Sequence, residues 1–143
     1  MKKLTWLVVV IIVVILLLAF GRRSSNEAIK IGYVGSLTGD LQTWGEESRN
    51  SVALAVKEIN ASGGIDGKPI QVIYEDGACN GAKAVTSAKK LIDVDKVKII
   101  ITWCSQEAMS IAPVAAQSKV IEFVSAATAP ELTNINDYHM KVL

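Results

Sequence analysis

Residues 29–60 read IKIGYVGSLTGDLQTWGEESRNSVALAVKEIN. Ile29 to Ser36 has the apolar density of a buried strand and closes on Gly and Ser, and Trp44 to Asn60 then carries Val52, Ala55, Val56 and Ile59 at helical spacing. The first unit is therefore strand, loop, helix. Thr43 followed three residues later by Glu46 fits a capping box at the helix start, and Gly63-Gly64 supplies a stop. The unit recurs downstream. After a turn at Asp66-Gly67 and Pro69, Ile70 to Glu75 alternates like a strand with Ile70, Val72 and Tyr74 on one side. Gly81 to Ile92 forms a helical stripe of Val85, Ala88, Leu91 and Ile92. Val97 to Thr102 predicts a third strand, and Gln106 to Gln117 a third helix presenting Ala108, Ile111, Ala112 and Ala115. Pro113 is expected to kink or shorten that helix. Val120 to Val124 predicts a fourth strand and Tyr138 to Val142 a short fifth. Strands alternating with helices predict an α/β fold, an open parallel sheet with helices on both faces. So small a sheet leaves apolar edges, which calls for further sheet or a partner.

Upstream, Lys2 and Lys3 precede LTWLVVVIIVVILLLAF, Leu4 to Phe20, in which Thr5 is the only residue that is not apolar. Such a segment predicts a hydrophobic helix of about 25 Å, between a signal-peptide core and a full membrane span in length. Ala19 and Gly21 suit a cleavage site, whereas Arg22 and Arg23 suit the flank of an uncleaved anchor, and both readings stand. Either one places the body outside the cytoplasm when Lys2 and Lys3 stay inside. No Cys follows the apolar run, so a lipoprotein anchor is unsupported. Residues 1–26 thus form a signal or anchor segment with a polar tether, and 27–143 form the folded domain.

The chain has 143 residues with 15 Lys+Arg against 14 Asp+Glu. All the acidic residues lie at or after Glu27, so the body is mildly acidic. It lacks the basic, aromatic-interleaved face that nucleic acid requires. Gly32, Gly35 and Gly39 match neither dinucleotide nor P-loop spacing, which argues against a nucleotide cofactor. One His and two Cys separated by 25 residues make no metal centre. His139 reads as structural or solvent-facing. The acidic pair Glu75-Asp76 ends the second strand with no visible partner, and no nucleophile, base and acid assemble into a catalytic set. The chain is therefore expected not to be an enzyme. In an exported chain, Cys79 and Cys104, each just after a strand, read as one disulfide.

Small and hydroxyl residues remain at the carboxyl ends of the strands: Ser36, Ser105 and Ala126 to Thr128, with Trp44 beside them. Open α/β sheets bind ligands there. Ser105 sits where the third helix begins, so its hydroxyl and the free amides behind it suit a carboxylate. The spacing equally allows Ser105 to be only a helix N-cap and Trp44 only a lid on the core.

The stretch IKIGYVGSLTGDLQTWGEESRNSVALAVKEINASGGIDGKPIQVIYEDGAC, followed by WCS and SAATAPELT, resembles the leucine/isoleucine/valine-binding proteins. These are periplasmic solute receptors of branched-chain amino-acid ABC transporters. The resemblance covers Ile29 to Leu143 and implies a type I periplasmic-binding fold, of which this chain holds the amino-terminal part of the first lobe. It implies that Trp44 packs beside the ligand side chain and that Ser105 meets the α-carboxylate. Ala126, Ala127 and Thr128 then contact carboxylate and ammonium, and Cys79–Cys104 is the family disulfide. Trp103 departs from the family, where a smaller residue is common. The implied partners are an amino acid, an ABC permease in the membrane, and a second lobe that this chain lacks, so weak binding by the chain alone is expected. A membrane-anchored ligand-sensing ectodomain is the alternative use of the same fold.

Overall fold

The computed structural model describes residues 27–142. The apolar segment Leu4 to Phe20 and its tether lie outside the described residues. Five parallel strands alternate with three helices: β1 (Ile29–Gly35), α1 (Gln42–Ala61), β2 (Ile70–Asp76), α2 (Gly81–Asp93), β3 (Ile99–Thr102), α3 (Ser105–Gln117), β4 (Ile121–Val124) and β5 (His139–Lys141). A single 3-10 turn, Pro130–Leu132, lies between β4 and β5.

The spatial order is β2-β1-β3-β4-β5. The chain steps outward from β1 to β2 and then back across β1 to β3. Right-handed crossovers therefore put α1 on one face of the sheet and α2 and α3 on the other. On the α2/α3 face, Val34 and Ile100 meet Ala84, Ala88, Leu91, Ile111 and Ala115 in the principal core. Leu91 fills the space that a side chain at Gly32 would need.

On the other face α1 lies over β1 and β2, where the Tyr33 hydroxyl donates to the Gly45 carbonyl at 3.1 Å. The rings of Tyr33 and its register partner Tyr74 lie 5.5 Å apart, with the Arg49 guanidinium over Tyr74. Register places Ile99, Ile101, Ile121, Phe123 and Met140 on this same face. No helix among the described residues lies over them, and Met140 is 54% exposed. The apolar edge expected from a small sheet is thus a half-covered face.

Several local expectations are corrected. Helix α1 begins at Gln42 after Leu41, and no side chain caps it. Thr43 and Glu46 both lie inside the helix, and Glu46 instead accepts from Gln42 one turn earlier at 3.0 Å. Pro113 neither ends nor shortens α3, which runs unbroken for 13 residues. Its ring faces outward while Ile111, Ala112 and Ala115 are buried, so packing offsets the missing amide bond. The stop after α1 is as expected: Gly63 and Gly64 have φ of 101° and 76°, and their amides close on Asn60 and Ile59. At Asp66-Gly67 two positive φ values make the tight turn of a small hairpin, with paired bonds between Ile65 and Lys68.

Candidate functional site

The order of strands reverses between β1 and β3, and in open α/β sheets the crevice above the carboxyl ends at such a point is where ligands sit. Four segments rim it: the loop after β1, the first turn of α1, the β3–α3 junction and the loop after β4.

Trp44 stands in the first turn of α1 and is 63% exposed, so it is not a lid on the core. Its position is set by the next residue. A side chain on Gly45 would lie 1.9 Å from the Ser36 carbonyl oxygen, so the helix start and the end of β1 touch backbone to backbone only because residue 45 has no Cβ. Trp44 is thereby fixed beside the β1 loop with its indole in solvent.

Ser105 is the first residue of α3, and Cys104 occupies the cap position without a side-chain cap bond. The Ser105 hydroxyl therefore does not cap its own helix. It accepts instead from the Ala129 amide at 3.3 Å. The first amide to bond within α3 is that of Ala108, to Cys104 at 3.0 Å, so the preceding first-turn amides lack intrahelical partners. Ser125 anchors the other side by two bonds to the Thr102 carbonyl, from its amide at 2.9 Å and its hydroxyl at 3.1 Å. Ala127 packs into a small cluster with Ala108, Val124 and Leu132, while Ala126 and Thr128 stay exposed. The structure thus brings Ser105 and residues 126–129 together at one helix N-terminus. Trp44 is placed on the opposite rim, beside Ser36.

Cys79 and Cys104 form a disulfide with a Cα–Cα separation of 5.8 Å. It ties the loop after β2 to the start of α3. Under it lies a residue that the sequence did not single out. Glu107 is fully buried. Its Oε1 accepts from the Cys79 amide at 2.9 Å and from the Ser36 hydroxyl at 3.4 Å, while Oε2 has no partner among the described residues. Burial pushes the Glu107 carboxyl up to about 6, against the lowering effect of the Cys79 amide and the Ser36 hydroxyl.

Asp76 ends β2, and it is not unpartnered as the sequence suggested. Lys83 reaches it at 2.6 Å from α2, and the amides of Leu37, Thr38 and Ala78 donate to Oδ1 at 2.9, 3.2 and 3.0 Å. Burial works to raise this carboxyl, but the bonds from Lys83, Thr38, Ala78 and Leu37 outweigh it and hold it at about 2. Asp76 is a clamp holding the β1 and β2 loops in register. Glu75 is paired as well, with Lys90. No sequence pattern foretells these pairs, since they join positions on different elements.

Trp103 is half-buried at the end of β3, its indole nitrogen without a partner among the described residues. The same residues contain no cluster of three metal-ligating side chains and no helix long and apolar enough to cross a membrane.

Residues 28–142 match the family described as periplasmic binding protein. The Leu/Ile/Val-binding protein of Escherichia coli K12 is 34% identical over 116 residues, which are 80% of this chain and 31% of that protein. The leucine-, isoleucine-, valine-, threonine- and alanine-binding protein of Pseudomonas aeruginosa is 30% identical over 109 residues, 76% of this chain and 29% of that one. Among solved structures, the branched-chain amino acid transporter substrate binding protein of Streptococcus pneumoniae, in complex with isoleucine, superposes with a TM-score of 0.77. Its identity is 32%, over 80% of this chain and 33% of its own. A Rhodopseudomonas palustris solute binding protein of an ABC transporter, in complex with 3,4-dihydroxybenzoic acid, gives 0.73 at 30% identity, over 80% of this chain and 31% of its own. The chain spans about a third of the length of these relatives.

Proposed function

Since this chain belongs to the periplasmic binding protein family, we propose that it forms one wall of a receptor for a small carboxylate-bearing solute, a branched-chain amino acid, for uptake through an ABC permease. The receptor works outside the cytoplasm, with Leu4 to Phe20 as its signal or anchor, and performs no catalysis. The observation that carries this reading is the 3.3 Å bond between the Ser105 hydroxyl and the Ala129 amide. It gathers a hydroxyl, a loop backbone and an unsatisfied helix N-terminus where an anion is favoured. A carboxylate is also the group common to the isoleucine and the dihydroxybenzoic acid held by the two structural relatives.

On this reading Ser105 and Thr128 hold the carboxylate, Ala126 and Ala127 offer backbone to carboxylate and ammonium, and Trp44 packs against the aliphatic side chain. Titration of the isotope-labelled full chain with leucine, isoleucine, valine and, as a control, glucose tests it by NMR. The amides of Ser105, Ala127 and Thr128 and the Trp44 indole are expected to shift with the amino acids and stay still with glucose. No shift at these four positions with any amino acid would refute the assignment.

A further inference from the structure

Beneath the site lies the fully buried Glu107, at the third position of α3 and two residues beyond Ser105. It joins three pieces of the rim. Through Oε1 it holds the Ser36 hydroxyl at the end of β1 and the Cys79 amide after β2, and through its own backbone it belongs to the helix whose first turn faces the crevice. The fit is close: a side chain at Gly77 would lie 2.3 Å from this same oxygen. Ser36, Gly77 and Glu107 are all buried, so no solvent screens the carboxyl.

Its charged neighbours offer no compensation. Asp76 at the end of β2 is an anion and raises the cost of ionising Glu107, and Lys83 from α2 is spent on Asp76. Tyr33 on β1 is uncharged and is itself held above the ordinary tyrosine range by burial. From the α3 side, Cys104 is bonded to Cys79 and carries no charge. An ionised Glu107 would thus be a buried anion without a counterion, set in the same helical turn that is to receive a second anion.

We propose that Glu107 is the positioning residue of the carboxylate end of this site, and that an amino acid binds there more tightly when Glu107 holds a proton. The inference rests on the reading of Ser105 as the carboxylate contact. The bonds from the Ser36 hydroxyl and the Cys79 amide dock the β1 and β2 loops on α3 in either state, and a protonated Glu107 leaves the helix N-terminus free to favour the ligand's charge. When ionised, it competes for that same positive end. The proton comes from solvent, and no other bond is made or broken. Linkage then requires that amino-acid binding raise the proton affinity of Glu107, and that each tenfold rise appear as a tenfold loss of amino-acid affinity at high pH.

The test follows the Glu107 carboxyl carbon by NMR in the full chain from about pH 5 to about pH 8, with and without leucine, alongside the Ser105 and Thr128 amides as reporters of binding. Leucine is expected to move the Glu107 midpoint upward and to bind roughly fivefold or more weakly at the alkaline end. Glu107→Gln, which is uncharged at every pH, is expected to bind with the same affinity throughout. An unmoved midpoint in the wild-type chain overturns the proposal and needs no variant, so the test holds even where the substitution fails to fold. A Glu107→Gln chain that keeps the pH dependence overturns it as well. If Ser105 and Thr128 never respond to leucine, the carboxylate reading and this inference both fall. If they respond while Glu107 does not, only this inference falls.

Discussion

A methyl group at residue 45 is enough to separate the start of α1 from the end of β1. The Gly45 position lies 1.9 Å from the Ser36 carbonyl oxygen when a Cβ is placed on it, and the obstacle is backbone, which cannot rotate away. Gly45→Ala must therefore push the start of α1 off the end of β1. It also strains the bond from the Tyr33 hydroxyl to the Gly45 carbonyl. The expected loss is about 1–3 kcal/mol of stability, the range for overpacking at a tight contact, with Trp44 displaced from its rim. Urea unfolding measures the first and Trp fluorescence the second. A variant as stable as the parent, with an unchanged spectrum, would show that this contact positions nothing. Nothing in residues 29–60 announced the role of Gly45, because a single glycine inside a helical pattern reads merely as a weak helix former. The same holds for Glu107, whose burial is decided by the loops of two other elements. Ser105 was legible, since a hydroxyl at a strand-to-helix junction stands out by local pattern alone.

Between elements, the least conventional joint is that of β4 with β5. Glu122 and His139 are register partners on the face bearing α2 and α3, with Nδ1 and Oε2 2.9 Å apart and side chains only 2% and 0% exposed for His139 and Glu122. Burial pushes the Glu122 carboxyl up to about 8, with the Thr102 hydroxyl acting weakly the other way. Burial also lowers His139, helped by Lys141. The folded chain thus retains a proton on Glu122 that the unfolded chain releases near about pH 4.3. Its contribution is complete below that value and disappears as pH rises through about 8. His139 works in the opposite sense only below about pH 6.5, where the unfolded imidazole takes up a proton. From about pH 6.5 to about 8, therefore, stability should fall with pH, and Glu122→Gln, whose amide can donate to Nδ1 at any pH, should flatten that fall. Urea midpoints at three pH values decide it; an equal decline in the variant would place its origin elsewhere. Strands and helices were largely legible here because periodicity and burial coincide: β1 to β4 and α2 start and stop within two residues of their patterns. The beginning of α1 was misread since Thr43 and Glu46 satisfy a capping pattern that the chain does not use. Glu122 was not singled out inside VIEFV, and its burial follows from sharing a face with Val120 and Val124 and from its partner on β5.

At the scale of the molecule, the described residues build one wall of a crevice and leave half of one sheet face without a helix. Helix α1 covers β1 and β2 alone, so Ile99, Ile101, Ile121, Phe123 and Met140 lack a helix among the described residues. Likewise Ser105 and the loop from Ala126 to Ala129, the proposed carboxylate end, face an open crevice with Trp44 in solvent. A small ligand in a closed cleft loses roughly 70–90% of its surface to protein. One wall can take only about half of that, while the cost of immobilising the ligand is unchanged. The favourable part is further reduced because the crevice stays wet, which weakens the attraction between the helix N-terminus and a carboxylate. Binding of leucine by this chain alone is therefore expected near about 1 mM or weaker, about −4 kcal/mol, against the −8 kcal/mol of a micromolar site. NMR titration or calorimetry on the full chain measures it directly. Loss of the residual signal on Ser105→Ala would assign it to the carboxylate end, because that substitution removes the hydroxyl facing Ala129 and leaves the core of α3 untouched. A micromolar constant would mean that one wall suffices, and the reading of Ser105, Thr128 and Trp44 as half of a larger enclosure would have to be abandoned.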